Sequence, residues 1–359
     1  MNNEDGLLEL RNTLDNIDNE LITLLNKRMQ TVHKVGELKA KSGGAIYRPE
    51  REKAIIERLT KLSQEQNGVL NKDAIEALFL EIFAISRNLE LPENVAYLGP
   101  IGSFTHQAAE SKFGAMSKYL SIASIKGVFR EVSSGKAKFG VIPIENSSNG
   151  IVSDTITCLQ EYDLKIISEV MIDIHHTLAT TCDDVKDIKR LYSKDIAFEQ
   201  CHKFLEDLGL NQIELIPVES TAKAASLAVN EPFSAAICSN IAAKIYKLPV
   251  LFNNIEDKEN NRTRFFIVSD FENAPSGDDK TSILVKLSNE AGALVNFLND
   301  FEKEKINLTK IKSHIIEGIS LFFLEFAGHK NDKNVQNIFK KHQEQIKFLG
   351  SYVKEADDI

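Results

Sequence analysis

The chain reads Asn260-Asn261-Arg262-Thr263-Arg264-Phe265-Phe266 immediately before the end of an apolar run at Val268. Residues 265–268 are predicted to form a buried strand. Two arginines flank a threonine at its start, which would place positive charge and a neutral hydroxyl donor on one side of a cleft. This combination suits a small anion whose hydroxyl group must leave. The alternative is a surface turn with solvated arginines, and the stretch alone does not decide between the two.

The length of 359 residues predicts two or three domains. A hydrophobic content of 43% and a charged content of 26% are typical of a soluble globular protein. The net charge of -9 argues against a nucleic-acid partner, because binding to a phosphate backbone needs a basic surface. An anionic ligand must therefore meet locally placed arginines.

The four cysteines lie far apart in the sequence, at Cys158, Cys182, Cys201 and Cys238. They are predicted to be reduced thiols, with a metal site or a disulfide framework as the less favoured alternative. The chain opens without a basic region followed by an apolar one, and no apolar run has the length of a membrane span. We therefore expect a cytoplasmic protein with no membrane contact, no metal and no cofactor.

The first segment is predicted to be one long amphipathic helix from Leu7 to Lys41. Its apolar stripe consists of Leu10, Leu14, Ile17, Leu21, Leu24, Val32, Val35 and Leu38. Such a helix would be about 50 Å long, which exceeds what a small domain can cover. A second copy of the chain is expected to bury it.

Two cations fall inside this apolar stripe. Arg28 lies about 40° from Leu14 around the helix and Lys39 about 20° from Leu14. A buried cation needs an anionic partner, because an unpaired charge costs several kcal/mol. Arg11 lies about 100° from Arg28, so it is expected to serve the site of a partner chain.

Two further helices are predicted in this module. The second begins at Pro49 and runs to about Gln66, with Arg51 and Glu52 at its start. The third covers about Lys72 to Leu91 and places Ser86 and Glu90 on one face. For any one of these charged residues, an ordinary surface ion pair is the simpler explanation.

As a set, Arg11, Arg28, Lys39, Arg51, Glu52, Ser86 and Glu90 resemble the all-helical chorismate mutase family over residues 1–91. The resemblance implies that Arg28, Lys39 and a partner's Arg11 bind the carboxylates and ether oxygen of chorismate. It implies that Glu52 binds the substrate hydroxyl and that Lys39 and a protonated Glu90 flank the ether oxygen. Arg51 and Ser86 would complete the pocket. Arg48 stands where many members carry an aspartate.

Residues 94–271 show a different pattern, in which short strands alternate with short helices, as in an α/β domain. A strand at Val95–Leu98 is followed by a glycine turn and by a helix from His106 to Phe113. A helix that starts after such a turn suits a carboxylate or phosphate. A second strand, Phe139–Ile144, ends at polar residues before a helix around 151–162. This is where α/β sheets place ligands.

These segments resemble the prephenate dehydratase family over the whole stretch. The motifs are the turn Gly99-x-x-Gly102-Ser103-Phe104-Thr105, the run Pro143-Ile144-Glu145-Asn146-Ser147, the triplet Ser220-Thr221-Ala222 and the stretch Asn261-Arg262-Thr263-Arg264-Phe265. The resemblance implies two α/β lobes in the layout of periplasmic binding proteins. Thr263 would be the catalytic hydroxyl, and the substrate would be bound by Ser103, Thr105, Asn146, Ser193, Gln200, Ser220, Thr221 and Arg264. His176 fits the strand histidine of the family, and Ile101 replaces an acidic residue.

Residues 280–359 are predicted to follow the order βαββαβ of a ferredoxin-like α+β fold. They resemble the ACT regulatory domain, on the residues Gly292, Ala293 and Leu294 and on Asn307, Leu308 and Thr309. The resemblance implies an amino-acid site with phenylalanine as the effector; the alternative is a module that only dimerises. Lys312 and His314 replace a glutamate and an arginine of the usual motif.

The complete chain is therefore expected to be a multidomain, bifunctional enzyme of phenylalanine biosynthesis, a homodimer or tetramer. It would rearrange chorismate to prephenate, which then loses carbon dioxide and water to give phenylpyruvate. The alternatives are an arogenate-preferring dehydratase and a non-catalytic metabolite sensor. A prephenate dehydrogenase is disfavoured because no GxGxxG turn is present.

Overall fold

The computed structural model describes residues 3–42, 48–90, 93–258, 260–288, 290–316 and 319–354. The first module contains the three predicted helices. They are α1 (Asn3–Ser42), α2 (Pro49–Glu65) and α3 (Lys72–Glu90). Pro49 begins α2, where its missing N–H is not needed and its fixed φ suits the first turn.

The module has a small core between α2 and α3, formed by Ile56, Ile75 and Phe83. Helix α1 packs on α3, and Gly36 allows the close approach, since a Cβ there would lie 2.9 Å from the Cα of Glu90. The N-terminal half of the apolar stripe of α1 is not covered by the described chain. Each of its residues Leu10, Leu14, Ile17, Leu21 and Leu24 is more than half exposed.

The next unit has two lobes, each built on one sheet. The first lobe begins with strands β1 (Asn94–Leu98), β2 (Lys118–Ile122), β3 (Phe139–Asn146), β4 (Gly150–Ile151) and β5 (Lys165–Asp173). Its helices are α4 (Phe104–Phe113), α5 (Ile125–Ser133) and α6 (Ser153–Glu161). The second lobe contains β6 (Thr177–Thr180), β7 (Arg190–Ser193), β8 (Glu214–Pro217), β9 (Ser234–Cys238) and β10 (Val250–Asn253). Its helices are α7 (Asp195–Gln200), α8 (His202–Asp207), α9 (Thr221–Ala228) and α10 (Asn240–Tyr246).

The chain crosses to the second lobe after β5 and crosses back after β10. It then rejoins the first sheet as β11 (Arg262–Ser269). The sheet orders are β2-β1-β3-β11-β5 and β10-β6-β9-β7-β8. The two crossings are joined by main-chain hydrogen bonds from Ile174 to Asn261 (2.7 Å) and from Ile255 to His176 (3.1 Å). The prediction that His175 and His176 lie on a strand is wrong, because they belong to the first crossing.

The C-terminal unit has the predicted βαββαβ order. Its elements are β12 (Asp279–Lys286), α11 (Ala293–Lys303), β13 (Leu308–Ile316), β14 (Ile319–Ala327), α12 (Lys333–Lys341) and β15 (Ile346–Val353). The antiparallel sheet has the order β13-β14-β12-β15. This sheet packs on the first lobe, where Leu284, Phe323 and Tyr352 share one apolar cluster with Ile166 and Phe266.

A buried ion network joins the first lobe to the C-terminal sheet. Arg264 on β11 is 1% exposed and binds Glu169 on β5 and Glu325 on β14. Burial lowers the pKa of Arg264, but the charges of Glu325 and Glu169 outweigh burial and raise it. Lys280 lies 2.9 Å from Glu169, and the Tyr352 hydroxyl donates to Glu325 at 3.0 Å. Every charge in the network thus has an opposite charge beside it.

Arg264→Met is expected to lower the free energy of unfolding by about 3–5 kcal/mol, because Glu325 and Glu169 lose a buried cation. The control is Arg262→Met on the same strand. Arg262 pairs with Asp173 at 2.7 Å, but both side chains are partly exposed, so the loss should stay within about 1 kcal/mol. Urea denaturation of both variants measures the two changes in the free energy of unfolding. Equal losses in the two variants would contradict the role of Arg264 in the buried ion network.

Candidate active sites

Helix α3 brings together the predicted residues of the mutase site. Ser86 accepts a hydrogen bond from Nη1 of Arg28 at 2.5 Å and donates to the carbonyl of Ile82 at 2.6 Å. The Arg28 guanidinium lies 6.0 Å from the centre of the Phe83 ring. Burial lowers the pKa of Arg28, and the nearby charge of Glu90 opposes this shift. Arg28, Ser86 and Glu90 therefore form one cluster between α1 and α3.

Glu52 is bound to a residue that the sequence did not single out. Nη1 of Arg87 donates to Oε1 of Glu52, and Nη2 of Arg87 donates to the carbonyls of Phe113 (3.1 Å) and Lys112 (3.4 Å) in the dehydratase region. Burial raises the pKa of Glu52, and Arg87 opposes this. Arg87 directly follows Ser86, so successive residues of α3 hold Arg28 and Glu52.

Two other predicted mutase residues, Arg11 and Arg51, are exposed in the single chain. Arg11 is exposed and lies about 25 Å from Arg28 along α1. Arg51 is exposed at the start of α2. The side chain of Lys39 falls outside the described residues. One chain therefore supplies only part of the predicted set.

In the dehydratase cleft, the structure joins Asn146 to Thr263. These residues are register partners on β3 and β11. Nδ2 of Asn146 lies 2.9 Å from Oγ1 of Thr263 and 2.9 Å from Oδ1 of Asn261, and its Oδ1 accepts from the main-chain N–H groups of Ser148 and Asn149. Because Asn146 donates to the threonine oxygen, the Thr263 hydroxyl hydrogen is available to another acceptor.

The first crossing and the second lobe together contribute a histidine–glutamine pair. Nε2 of His176 lies 2.8 Å from Oε1 of Gln200. Burial lowers the pKa of His176, which favours the neutral ring. An amide oxygen only accepts, so Nε2 carries the proton and the Gln200 NH2 group can donate to a ligand. Nδ1 of His176 is buried without a hydrogen-bond partner among the described residues.

Three of the remaining predicted polar residues, Ser103, Ser193 and Ser220, form structural hydrogen bonds. The hydroxyl of Ser103 caps α4 by accepting from the His106 N–H at 3.3 Å. Ser220 caps α9 in the same way from the Lys223 N–H at 3.1 Å. Ser193 is buried and donates to the Ile237 carbonyl at 2.9 Å. Thr105 and Thr221 lie in the first turns of α4 and α9.

The glycine turn before α4 contacts the second lobe. Gly102 has φ +84°, and a Cβ there would lie 3.0 Å from the Cα of Ala242. Its carbonyl accepts a hydrogen bond from Ser239 at 2.7 Å. The turn therefore fixes the two lobes against each other, and only glycine fits this contact.

The prediction that Arg264 binds substrate is wrong. Successive side chains on a strand point to opposite faces, so Arg264 faces away from the side that carries Thr263. Its guanidinium is bound by Glu169 and Glu325 in the domain interface. The alternation of side chains along this strand can be read from the sequence. The sequence does not show that the C-terminal unit covers the face of the sheet on which Arg264 lies.

One of the predicted regulatory residues lines a cavity of about 830 Å³ in the C-terminal unit. Ala293 lines it together with Ser288, Glu290 and Phe297, and Gly292 caps α11 with φ +85°. Leu294 follows in α11, whereas Asn307, Leu308 and Thr309 do not line this cavity. Lys310 and Lys312 on β13 instead form ion pairs with Glu145, the residue before Asn146.

Two further properties of the described residues bear on the site. None of their helices is long and apolar enough to cross a membrane. No three His, Cys, Asp or Glu residues among them are grouped so as to hold a metal ion.

Two family models match the chain. The chorismate mutase type II model matches residues 10–91, and the prephenate dehydratase model matches residues 95–273. The bifunctional chorismate mutase/prephenate dehydratase of Aquifex aeolicus (strain VF5) is 39% identical over 98% of this chain and 98% of that protein. The protein of the same description from Pseudomonas aeruginosa is 38% identical over 99% of each.

Among solved structures, the prephenate dehydratase from Arthrobacter aurescens in complex with L-Phe is similar, with a TM-score of 0.66 and 30% identity. The match covers 73% of this chain and 90% of that chain. The two family models and the relatives together define an enzyme with chorismate mutase and prephenate dehydratase activities. The chain belongs to the bifunctional chorismate mutase/prephenate dehydratase family.

Proposed function

We propose that this chain performs consecutive steps of phenylalanine biosynthesis through the residues brought together above. The helical module rearranges chorismate to prephenate, and the cleft converts prephenate to phenylpyruvate. The observation that carries the proposal is the Asn146–Thr263 hydrogen bond, which leaves a hydroxyl donor at the cleft. The test is to supply chorismate without any cofactor and to measure prephenate and phenylpyruvate. Formation of both products is expected if the chain performs the two steps in succession.

The mutase step needs no nucleophile, because the substrate rearranges within itself. The site needs to hold a compact conformer and to stabilise charge on the breaking ether oxygen. Arg28, held by Ser86, binds a carboxylate, and Lys39 with Glu90 acts at the ether oxygen. Glu52 accepts from the substrate hydroxyl, and Arg51 lies at the start of the same helix.

The dehydratase step removes carbon dioxide and water from prephenate together. The carboxylate carbon–carbon bond breaks, its electrons form the aromatic ring, and the hydroxyl leaves as water after taking a proton. Thr263 donates a hydrogen bond to the leaving oxygen, and the Gln200 amide holds a carboxylate or carbonyl. Aromatisation drives the step, so the protein mainly orients the substrate.

Asn146→Asp and Thr263→Val are each expected to lower dehydratase turnover by about 10²-fold or more while mutase activity is kept. An aspartate can only accept, so the Thr263 hydroxyl would turn toward it and away from the substrate. Prephenate should then accumulate from chorismate. Asn149→Asp in the same turn is the matched control, and full dehydratase turnover in Thr263→Val would remove Thr263 from the mechanism.

We propose that the mutase module functions as a dimer that buries the exposed stripe of α1. The stripe is apolar over the stretch that contains Leu10, Leu14 and Leu21, and nothing in the described chain covers it. Arg11 is too far from Arg28 to share a pocket within one chain, so each site takes Arg11 from the partner.

Mixing the variants Arg11→Ala and Arg28→Ala is expected to restore mutase activity that neither variant has alone. In a hybrid dimer one site has both substitutions and the other has neither. Random exchange should therefore recover about one quarter of the wild-type sites, because half of the dimers are hybrids with one intact site each. No recovery after verified subunit exchange would contradict the shared site.

We further propose that phenylalanine inhibits the chain through the C-terminal unit, at residues 292–294 and 307–309. The complex of the Arthrobacter aurescens relative with L-Phe supports this ligand. The cavity beside Ala293 is of the size of small-molecule sites. The contact of Lys310 with Glu145 gives a direct route from β13 to Asn146.

Phenylalanine at millimolar concentration is expected to lower dehydratase turnover of the full chain. Lys310→Met should weaken this inhibition, because it breaks the link between β13 and Glu145. Lys330→Met removes an ion pair with Glu272 elsewhere on the same unit and should leave the inhibition intact. Absence of any inhibition of the wild type would refute the proposed feedback.

A further inference from the structure

Arg87 occupies a junction between the mutase module and the dehydratase region. It is 6% exposed, and both of its terminal nitrogens are used. One binds Glu52 on α2, and the other binds the carbonyls at the C-terminal end of α4. The guanidinium also lies 5.6 Å from the centre of the Phe113 ring. A side chain held at this many points has little freedom to move.

This arrangement determines which part of Glu52 can meet a substrate. Arg87 binds Oε1 of Glu52. Glu52 lines a cavity of about 630 Å³ together with Pro49 and Phe83. The described lining of this cavity does not include Arg28, Ser86 or Glu90. Because Oε1 is bound to Arg87, Oε2 is the oxygen left for a substrate hydroxyl. Without Arg87 the carboxylate could rotate, since nothing else described holds Oε1.

We propose that Arg87 is a positioning residue of the mutase reaction, which orients the Glu52 carboxylate and keeps it ionised. The inference rests on the proposed role of Glu52 as acceptor from the substrate hydroxyl. It extends the site to a residue outside the predicted set. It also makes the geometry of the mutase site depend on the end of α4 in the neighbouring domain.

The charged groups around Glu52 determine the direction of the expected pH effect. Burial raises the pKa of Glu52, Arg87 and Lys112 lower it, and Glu50 raises it further. Removal of Arg87 therefore raises this pKa and increases the protonated fraction at low pH. Since the ionised form is the acceptor, the acid side of the mutase pH profile should move to higher pH.

The test uses the full chain and four variants: Arg87→Gln, Arg87→Lys, Glu52→Gln and Asn88→Ala. In Arg87→Gln, KM for chorismate should rise, and the acid side of the kcat/KM profile should move up by about one pH unit or more. Arg87→Lys keeps the charge but not both hydrogen bonds. Its profile should stay near that of the wild type while its KM rises.

Asn88→Ala is the matched control. The Asn88 amide donates to the carbonyl of Met116 at 2.9 Å, so this variant loses a neighbouring contact between the same two domains without touching Glu52. It should keep the wild-type pH profile. Dehydratase turnover on supplied prephenate reports, in the same samples, whether the chain is folded.

Each outcome separates the inference from the proposed site. If Glu52→Gln leaves mutase kinetics unchanged, the role of Glu52 is wrong, and the inference is overturned with it. If Glu52→Gln is impaired but Arg87→Gln keeps the wild-type KM and pH profile, only the inference is wrong. If Arg87→Gln fails to fold, a wild-type KM in Arg87→Lys overturns it.

Discussion

The burial of Arg264 is the constraint on which the arrangement of the domains depends. Arg264 is 1% exposed, so its guanidinium has almost no contact with water. A buried charge of this kind needs carboxylates beside it, because an unpaired buried charge is strongly destabilising. Glu169 comes from the same sheet, but Glu325 comes from β14 of the C-terminal unit. The C-terminal sheet also supplies Lys280, which pairs with Glu169, so two of the four charges in the network come from each side of this interface. Strand β11 thus places Thr263 at the cleft and the next residue, Arg264, at the interface with the C-terminal sheet.

The same alternation occurs on β3, directly beside β11. Asn146 pairs in register with Thr263, and Glu145 pairs with Arg264. Asn146 and Thr263 face the cleft, whereas Glu145 and Arg264 each bind a residue of the C-terminal sheet. A shift of β13 or β14 would act on residues joined by one peptide bond to the two cleft residues. This also gives Lys312 a physical role, because its positive charge lies 3.7 Å from the Glu145 carboxylate.

Sequence reasoning predicted the elements well, because their signals are local. The helical periodicity of α1, the proline that starts α2 and the alternation in the C-terminal unit each depend on a few neighbouring residues. Side-chain contacts between elements that are far apart in the sequence cannot be predicted in this way. Arg264 was assigned to the substrate because the sequence showed a cation beside Thr263 but not the unit that covers the other face. Arg87 was missed for the same reason, since its partners lie on α2 and at the end of α4.

The helical module cannot be understood as an independent domain. Its internal core consists of only a few buried side chains between α2 and α3, while the stripe of α1 remains exposed. The apolar surface buried inside one copy of the module is therefore small. Further stabilisation must come from contacts outside the module. One such contact is the buried Arg87 at the end of α4, and the other, in the proposed dimer, is a second α1. Because Arg28 and Ser86 lie between α1 and α3, and Glu52 is held through Arg87, both outside contacts act on residues of the mutase site.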